Sequence, residues 1–335
     1  MLNQLARELY YFQMDLPNTP LKTLNCYIIR PEDGGRCLLV DTGFRHPQCW
    51  AALQEGMDEA GLLPENTDVF LTHAHSDHSG NAAALQALGC RILISDVDCR
   101  LYNSWQRDKA KEDYVPRQVL EGMPEEMFLQ LFRSGATVQF NAPPFQAVEV
   151  TDGQTLQYGR FHLQCIMTPG HTPGHMCLYE AEKEILFLGD HVLFDITPNI
   201  CDFKDMPDSL GCYLESLRKI RRLPVSLALP AHRGFGSVSL TERIDQILAH
   251  HERRLAETIA AVRELGPLTA YEVAQHLSWK IRAKSWEEFP TSQKWFALGE
   301  TLAHLDYLCN IGALTRSESK GIIQYLAVTS DSVTV

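Results

Sequence analysis

Residues Thr72-His73-Ala74-His75-Ser76-Asp77-His78-Ser79-Gly80 place four side chains that can bind a metal within six positions. They follow an apolar run, Asp68 to Leu71, that reads as a buried strand, and they precede a helix-like segment, Asn81 to Leu88. Four such side chains at this spacing cannot share one face of a helix or strand, so the sequence predicts a loop that bends around a metal. Imidazole with carboxylate suits zinc, iron or manganese better than calcium or magnesium, which prefer oxygen ligands.

Three later segments each end a predicted strand with residues that can bind a metal. A turn stiffened by glycine and proline, Thr168 to His175, follows the strand Phe161 to Met167. The run Leu186 to Leu188 leads into Gly189-Asp190-His191, and Leu227 to Leu229 leads into Pro230-Ala231-His232. Because strand ends at one sheet edge can converge on one point, the four segments together predict a single site.

The ordered motifs H-x-H-x-D-H, G-H, G-D and P-A-H resemble those of the metallo-β-lactamase-fold hydrolases, which include glyoxalase II, the quorum-quenching lactonases and the lactamase-beta-like endoribonucleases. The likeness covers about residues 20 to 240. It implies an α/β fold, the αββα metallo-β-lactamase sandwich. It also implies two divalent metal ions, with zinc expected first and iron or manganese as alternatives.

The resemblance assigns a role to each ligand. It implies that His73, His75 and His171 bind one ion, that Asp77, His78 and His232 bind the second, and that Asp190 bridges the two. Asp77 and Asp190 are the catalytic carboxylates that it implies, and Asp77 would pass a proton to the leaving group.

Two further residues are expected behind the ligands. Asp41, in the sequence Asp41-Thr42-Gly43, lies under the metal site in the resembled fold, where its carboxylate could accept a proton from the outer nitrogen of a ligand histidine. His175 is an extra histidine beside a ligand position, and we interpret it as a supporting residue.

The function that the resemblance implies is a binuclear metal-dependent hydrolase, in which a metal-bridging hydroxide attacks a small ester, thioester or lactone. A metal-dependent endoribonuclease or phosphodiesterase is one alternative, and a non-hydrolytic metal-binding protein is another. Phe194 stands where lactonases of the family often carry a tyrosine, which argues against a lactone. It remains a candidate contact to substrate.

The composition argues against certain binding partners and indicates a cellular compartment. The formal net charge of −12 argues against a nucleic-acid partner or an anionic membrane, since both need clustered positive charge. The ten cysteines are scattered singly, and several of them lie in apolar runs, which is typical of a reducing compartment. The chain shows neither a secretion signal nor an apolar run long enough to cross a bilayer, so we expect it in the cytoplasm.

Length and pattern predict two domains. Residues 1–239 form the catalytic domain, with a helical insertion over about 97–134 that caps the site and offers Tyr102, Trp105 and Arg107 as candidate substrate contacts. Residues 240–335 read as three helices and a short hairpin, which resembles a winged-helix-like appendage. Its slightly acidic balance favours a structural role, either covering the active site or joining two subunits as a homodimer.

Overall fold

The computed structural model describes residues 1–108, 117–134, 143–280, 283 and 285–328, and over 104–108 and 132–134 it describes the backbone alone. The chain divides into two compact units. The first comprises Met1–Ala110, Gln139–Pro198 and Ser216–Ile244. The second comprises Lys111–Val138, Asn199–Glu215 and Asp245–Val335.

The first unit contains a sheet whose strands, within the described residues, lie in the order of the chain. They are β1 (Asn3–Ala6), β2 (Leu9–Asp15), β3 (Thr23–Ile29), β4 (Cys37–Val40), β5 (Thr67–Phe70), β6 (Arg91–Ser95) and β7 (Ala147–Val150). The first four pair antiparallel, and β4 to β7 pair parallel. Strands β4 and β5 are buried along their whole length, as expected of parallel strands covered on both faces.

Helices connect the parallel strands, as the crossover from one parallel strand to the next requires. These helices are α1 (Pro47–Glu59), α2 (Ser76–Ser79), α3 (Ala82–Ala87) and α4 (Asp96–Asp108). Helix α1 begins at a proline, whose fixed φ suits the first helical turn, and the side chain of His46 accepts a hydrogen bond from the Gln48 amide.

The second sheet of this unit is formed by β8 (Thr155–Tyr158), β9 (Phe161–Met167), β10 (Met176–Glu180), β11 (Ile185–Gly189) and β12 (Leu227–Pro230). Their spatial order among the described residues is β12-β11-β10-β9-β8, and only the β11–β12 pair is parallel. The helix α7 (Ser209–Ile220) lies between β11 and β12 in the chain.

Two apolar clusters define the layers of the first unit. One cluster joins the two sheets and includes Leu38, Phe70, Leu178 and Phe187. The other covers the opposite face of the first sheet with α1 and α3, through residues such as Leu53 and Leu85. On the second sheet, Ser216 and Lys219 of α7 donate to the carbonyls of Pro169 and Met167. This arrangement confirms the α/β sandwich that the sequence predicts.

One buried asparagine ties the first sheet to the end of the second. Asn25 of β3 is 1% exposed, and its side-chain amide donates to the carbonyls of Pro230 at 2.9 Å and Arg233 at 3.0 Å. Its backbone amide donates to the Ala231 carbonyl at 2.7 Å. These bonds hold the chain on both sides of His232.

The second unit contains α5 (Arg117–Leu120), α6 (Glu125–Ser134), α9 (Ala270–His276), α10 (Thr291–Asn310), most of α8 (Leu240–Leu265) and the hairpin β13 (Leu314–Ser319) and β14 (Ile322–Ala327). The sequence predicts the long helix over Leu240 to Leu265 and the short hairpin, and both are confirmed. Lys320 and Gly321 both adopt positive φ, which suits the tight two-residue turn of such a hairpin.

The predicted insertion contributes to this second unit. Met123 and Leu131 lie in the same apolar cluster as Leu298 and Tyr325. Arg117 donates to both carboxylate oxygens of Asp306 at 2.7 Å. The second compact unit therefore includes residues of the insertion, because they bury their apolar side chains against C-terminal helices. The domain ranges 1–239 and 240–335 stay a prediction. The winged-helix character of residues 240–335 stays a prediction.

Within the part of the chain that is described, no helix combines the length and the apolar character that crossing a membrane requires.

We expect Asn25→Ala to lower the free energy of unfolding by about 1–3 kcal/mol, because the two side-chain hydrogen bonds to the carbonyls of Pro230 and Arg233 are lost. Urea unfolding of metal-free protein measures the change. Asn66→Ala is the matched control, since the Asn66 side chain makes a solvent-exposed hydrogen bond to Gly35. An equal effect of the two substitutions would contradict a role for Asn25 in joining the sheets.

Candidate metal centre

The predicted metal-binding loop starts where β5 ends and turns into the one-turn helix α2. The Ser79 hydroxyl donates to the carbonyls of Ala74 and His75, which fixes the reversal of the chain. Gly80 follows, and a Cβ there would lie 2.4 Å from the Arg45 amide nitrogen and 2.6 Å from the Gly43 carbonyl oxygen. Only glycine fits this close approach, so the motif is presented by a tightly constrained bend.

Three histidines form the first ligand group, which we call the three-histidine group: His73, His75 and His171. Their ligand nitrogens all lie within 4.8 Å of one another, and His73 Nε2 is 2.9 Å from His75 Nδ1. The first two come from the loop after β5, and His171 comes from the turn after β9. The family resemblance implies this same set as the ligands of one ion.

The second ligand group, which we call the mixed group, contains Asp77, His78, Asp190 and His232. His232 Nε2 lies 3.2 Å from His78 Nε2, 3.3 Å from Asp77 Oδ2 and 3.2 Å from Asp190 Oδ1. Its members end three different strands or loops of the first unit, so the fold brings together residues that are far apart in the chain.

Asp190 stands between the two groups. Its Oδ1 is 3.2 Å from His232 Nε2, and its Oδ2 is 3.5 Å from His171 Nε2. Oδ1 is buried and accepts no well-aligned hydrogen bond from the described residues. Ligand atoms bound to one zinc ion lie about 3–3.5 Å apart, since each bond is about 2.0–2.2 Å long. The donor set and its spacing therefore fit metal ions.

Backbone and carboxylate groups orient the ligand histidines from behind. Asp41 Oδ2 lies 2.8 Å from His78 Nδ1, and Asp41 Oδ1 accepts a hydrogen bond from the Thr72 amide at 2.9 Å. His232 Nδ1 lies 2.8 Å from the Thr23 carbonyl oxygen. A proton held on each Nδ1 leaves the Nε2 lone pair directed at the site, as is common for metal-binding histidines.

His175 supports Asp190. Its Nε2 accepts a hydrogen bond from the Asp190 amide at 3.1 Å, so its Nδ1 carries the proton and donates to Thr168 Oγ1 at 2.8 Å. Both ring nitrogens are therefore occupied by protein partners. This is the supporting position that the sequence predicts for His175.

Burial and neighbouring charges shift the pKa values of the histidines in opposite directions in the two ligand groups. Burial lowers the pKa of His73 well below its ordinary value and that of His75 to about 3. Both rings are thus neutral near neutral pH and able to accept a metal ion.

The histidines of the mixed group behave in the opposite way. Burial alone would lower the pKa of His232, but Asp190 and Asp77 outweigh it and raise that pKa to about 9. Asp41 raises the pKa of His78 well above its ordinary value despite burial. Without metal, these rings hold protons that balance the surrounding carboxylates.

Of the four residues predicted to contact the substrate, the structure describes the side chains of two. Tyr102 is 2% exposed, packs in the core beneath the first sheet against Phe145, and donates its hydroxyl hydrogen bond to the Pro143 carbonyl at 3.0 Å. Phe194 is half-buried, and its ring lies within 2.4 Å of a Cβ built on Gly236. Trp105 and Arg107 lie outside the residues whose side chains the structure describes.

Sequence reasoning missed Asp98, a fully buried carboxylate in the first turn of α4. It accepts hydrogen bonds from Ala74, Thr172 and Gly174, which belong to the loops that carry the three-histidine group. Burial outweighs these donors and raises its pKa to about 6. The sequence signal for Asp98 was an aspartate at the start of a helix that directly follows a strand. An aspartate in that position usually indicates only a favourable interaction with the helix dipole.

Two protein-family profiles together match most of this chain. The Metallo-beta-lactamase superfamily profile matches residues 21–232. The profile described as Metallo-beta-lactamase-like, C-terminal domain matches residues 255–328.

Solved structures match over nearly the whole chain. A metallo-beta-lactamase family protein from Thermus thermophilus superposes with a TM-score of 0.80 and 29% identity, over 97% of this chain and 100% of its own. A beta-lactamase domain protein from Burkholderia ambifaria superposes with a TM-score of 0.83 and 28% identity, over 98% and 94%.

Proteins similar to this chain include lactamase-like proteins and thioesterases. The lactamase-like protein adaB of Aspergillus niger is 26% identical, over 84% of this chain and 83% of its own length. An atrochrysone carboxyl ACP thioesterase of Aspergillus fumigatus is 25% identical, over 76% of this chain and 62% of its own length. This chain thus spans less than two thirds of the thioesterase.

We expect metal binding to release protons. His78 and His232 hold protons below the raised pKa, which for His232 is about 9, and a metal ion must displace them. Near neutral pH about two protons per chain should leave, and affinity at the mixed group should fall as the pH falls. Calorimetric titration of metal-free protein with Zn²⁺, in buffers of different ionisation enthalpy, counts them. The exposed His162→Ala is the control, and binding without proton release would contradict the expectation.

Proposed function

This chain belongs to the metallo-beta-lactamase superfamily and is a hydrolase, and on that premise we propose that it cleaves a small ester or thioester at a centre of two divalent metal ions. A thioester is the first choice because a relative that aligns with most of this chain is named a thioesterase. Zinc is the first choice of metal, since histidine nitrogen with carboxylate oxygen is a common zinc environment.

The observation that carries this proposal is the position of the Asp190 carboxylate. One of its oxygens faces His171 of the three-histidine group, and the other faces His232 and His78 of the mixed group. A carboxylate placed in this way can bridge two ions, one in each group.

Two such ions, when bound, would polarise the substrate carbonyl oxygen and lower the pKa of water, so that a nucleophile is available near neutral pH. The ligands differ in exposure: His75 is partly exposed and His171 and Asp77 are each 7% exposed, whereas His73, His78 and His232 are completely buried. We therefore place the approach of the substrate on the side of His75, His171 and Asp77.

Asp77 is the residue that we propose to move a proton. Its Oδ2 lies 3.3 Å from His232 Nε2, which leaves Oδ1 for this task. As water adds to the thioester carbonyl, Asp77 Oδ1 takes the proton that the water loses. It then gives this proton to the leaving sulfur as the carbon–sulfur bond breaks, and the products are a carboxylic acid and a thiol.

The direct test combines elemental analysis with a substrate screen. Protein purified without added metal should contain about two metal ions per chain, and it should hydrolyse thioesters faster than lactones, phosphodiesters or a β-lactam. A chelator should abolish turnover, and zinc should restore it. At most one metal ion per chain with no turnover in any class would overturn the proposal. Cleavage of the phosphodiester alone, with strong salt dependence on RNA, would favour a nuclease instead.

We expect Asp77→Asn to lower kcat by about 100-fold, because an amide cannot carry the proton. Metal content, measured on the same preparation, should fall much less. The loss should shrink for substrates whose leaving group is acidic enough to depart without a proton, such as aryl thioesters.

Asp58→Asn, on the exposed face of α1, is the matched control and should leave both quantities unchanged. If turnover and metal content fall together in Asp77→Asn, equally for all leaving groups, Asp77 is a ligand only.

A further inference from the structure

Asp98 links the two chain segments that carry the three-histidine group. Its Oδ2 accepts hydrogen bonds from the Ala74 amide at 2.9 Å and from Thr172 Oγ1 at 2.8 Å. Its Oδ1 accepts one from the Gly174 amide at 2.6 Å. Three donors around one fully buried carboxylate indicate a built interaction rather than a chance contact.

The donors lie next to the ligands in the chain. Ala74 stands between His73 and His75, and Thr172 directly follows His171. A single carboxylate therefore holds the Ala74 backbone between two of the ligands and the Thr172 side chain beside the third. The mixed group has further supports: the Thr23 carbonyl lies behind His232 and His175 lies behind Asp190. Asp41 lies behind His78 and also accepts a hydrogen bond from the Thr72 amide, next to His73.

The fit of the second loop against α4 supports this interpretation independently. A Cβ built on Gly174 would lie 2.4 Å from the Asp98 amide nitrogen and 2.4 Å from Ser95 Oγ. The Asp98 amide itself donates to Ser95 Oγ at 3.1 Å. The turn after β9 thus rests directly on the first turn of α4, with no room for a side chain between them.

We infer that Asp98 is the positioning residue of the three-histidine group: it sets the distance between the loop of His73 and His75 and the loop of His171. Loss of its carboxylate releases both loops from their common support. Metal affinity then falls at this group and stays unchanged at the mixed group. The inference rests on the proposed function only in that the three-histidine group binds a metal ion.

The test is a calorimetric titration of metal-free protein with Zn²⁺ for wild type and Asp98→Asn. One of the two binding events should weaken by about 10- to 100-fold, the range for residues that orient metal ligands, and the other should keep its affinity. Thr172→Val removes one of the three hydrogen bonds and should weaken the same event by a smaller factor. It also serves as the milder variant should Asp98→Asn fail to fold.

Double variants identify which group is affected. In the His232→Ala background, in which the mixed group is damaged, Asp98→Asn should still weaken Zn²⁺ binding at the three-histidine group. Added to His73→Ala, which removes a ligand of the three-histidine group, it should cause no further loss. Asp96→Asn, two residues away on α4 and paired at the surface with Arg100, is the control and should bind Zn²⁺ as wild type does.

Equal weakening of both events in Asp98→Asn, or a further loss in the His73→Ala background, would overturn the inference and leave Asp98 a general stabiliser of the fold. Urea unfolding of the metal-free variants measures that general contribution separately. A wild-type protein that binds Zn²⁺ and hydrolyses no substrate would end the proposed function without affecting this test.

Discussion

Seven ionisable side chains are confined to a space a few ångströms across, and the rest of the first unit depends on meeting that constraint. Burying a charge without a partner is costly, so each carboxylate and imidazole must find a compensating group or a metal ion. Three sets of contacts meet this requirement. Asp190 lies between the two ligand groups, protonated His78 and His232 balance the carboxylates, and Asp41 and His175 satisfy the atoms that face away from the site.

The two sheets supply the geometry. Strands β5, β9, β11 and β12 each end next to a ligand, and the inter-sheet core fixes where those ends lie. Short loops then leave each ligand little freedom. Asn25 and Asp98 show how such loops are held: each is a single buried polar side chain whose hydrogen bonds join backbone segments far apart in the sequence. Precision at the site thus comes from backbone hydrogen bonds as much as from the ligands.

The fold was predictable from the sequence because it depends on local order: apolar strands, each followed by a candidate metal ligand. The superfamily and the α/β sandwich are confirmed on this basis. The assignment of the individual ligands rests on the family resemblance and stays a prediction. Asp98 and Asn25 could not be found in the same way, since their partners adjoin them only in the folded chain. Tyr102 shows the reverse error, because an aromatic residue in a predicted cap can equally well belong to the core, as its burial and its bond to Pro143 show. The amphipathic pattern of residues 117–134 indicated helices but could not say which surface they would cover.

The second unit is discontinuous, and this bears on the order in which the chain can fold during synthesis. The Arg117 guanidinium meets Asp306, which lies 189 residues later, and Met123 and Leu131 share an apolar cluster with Tyr325. Helices α5 and α6 therefore leave the ribosome long before their partners exist. Their apolar faces stay exposed to water or to chaperones until helices α9 and α10 have been made, and the cluster is complete only with the hairpin of β13 and β14. A nascent chain of this protein thus completes its second unit only after residues 314–327 have been made, and truncation before the hairpin removes Leu314 and Tyr325 from the apolar cluster that Met123 and Leu131 share.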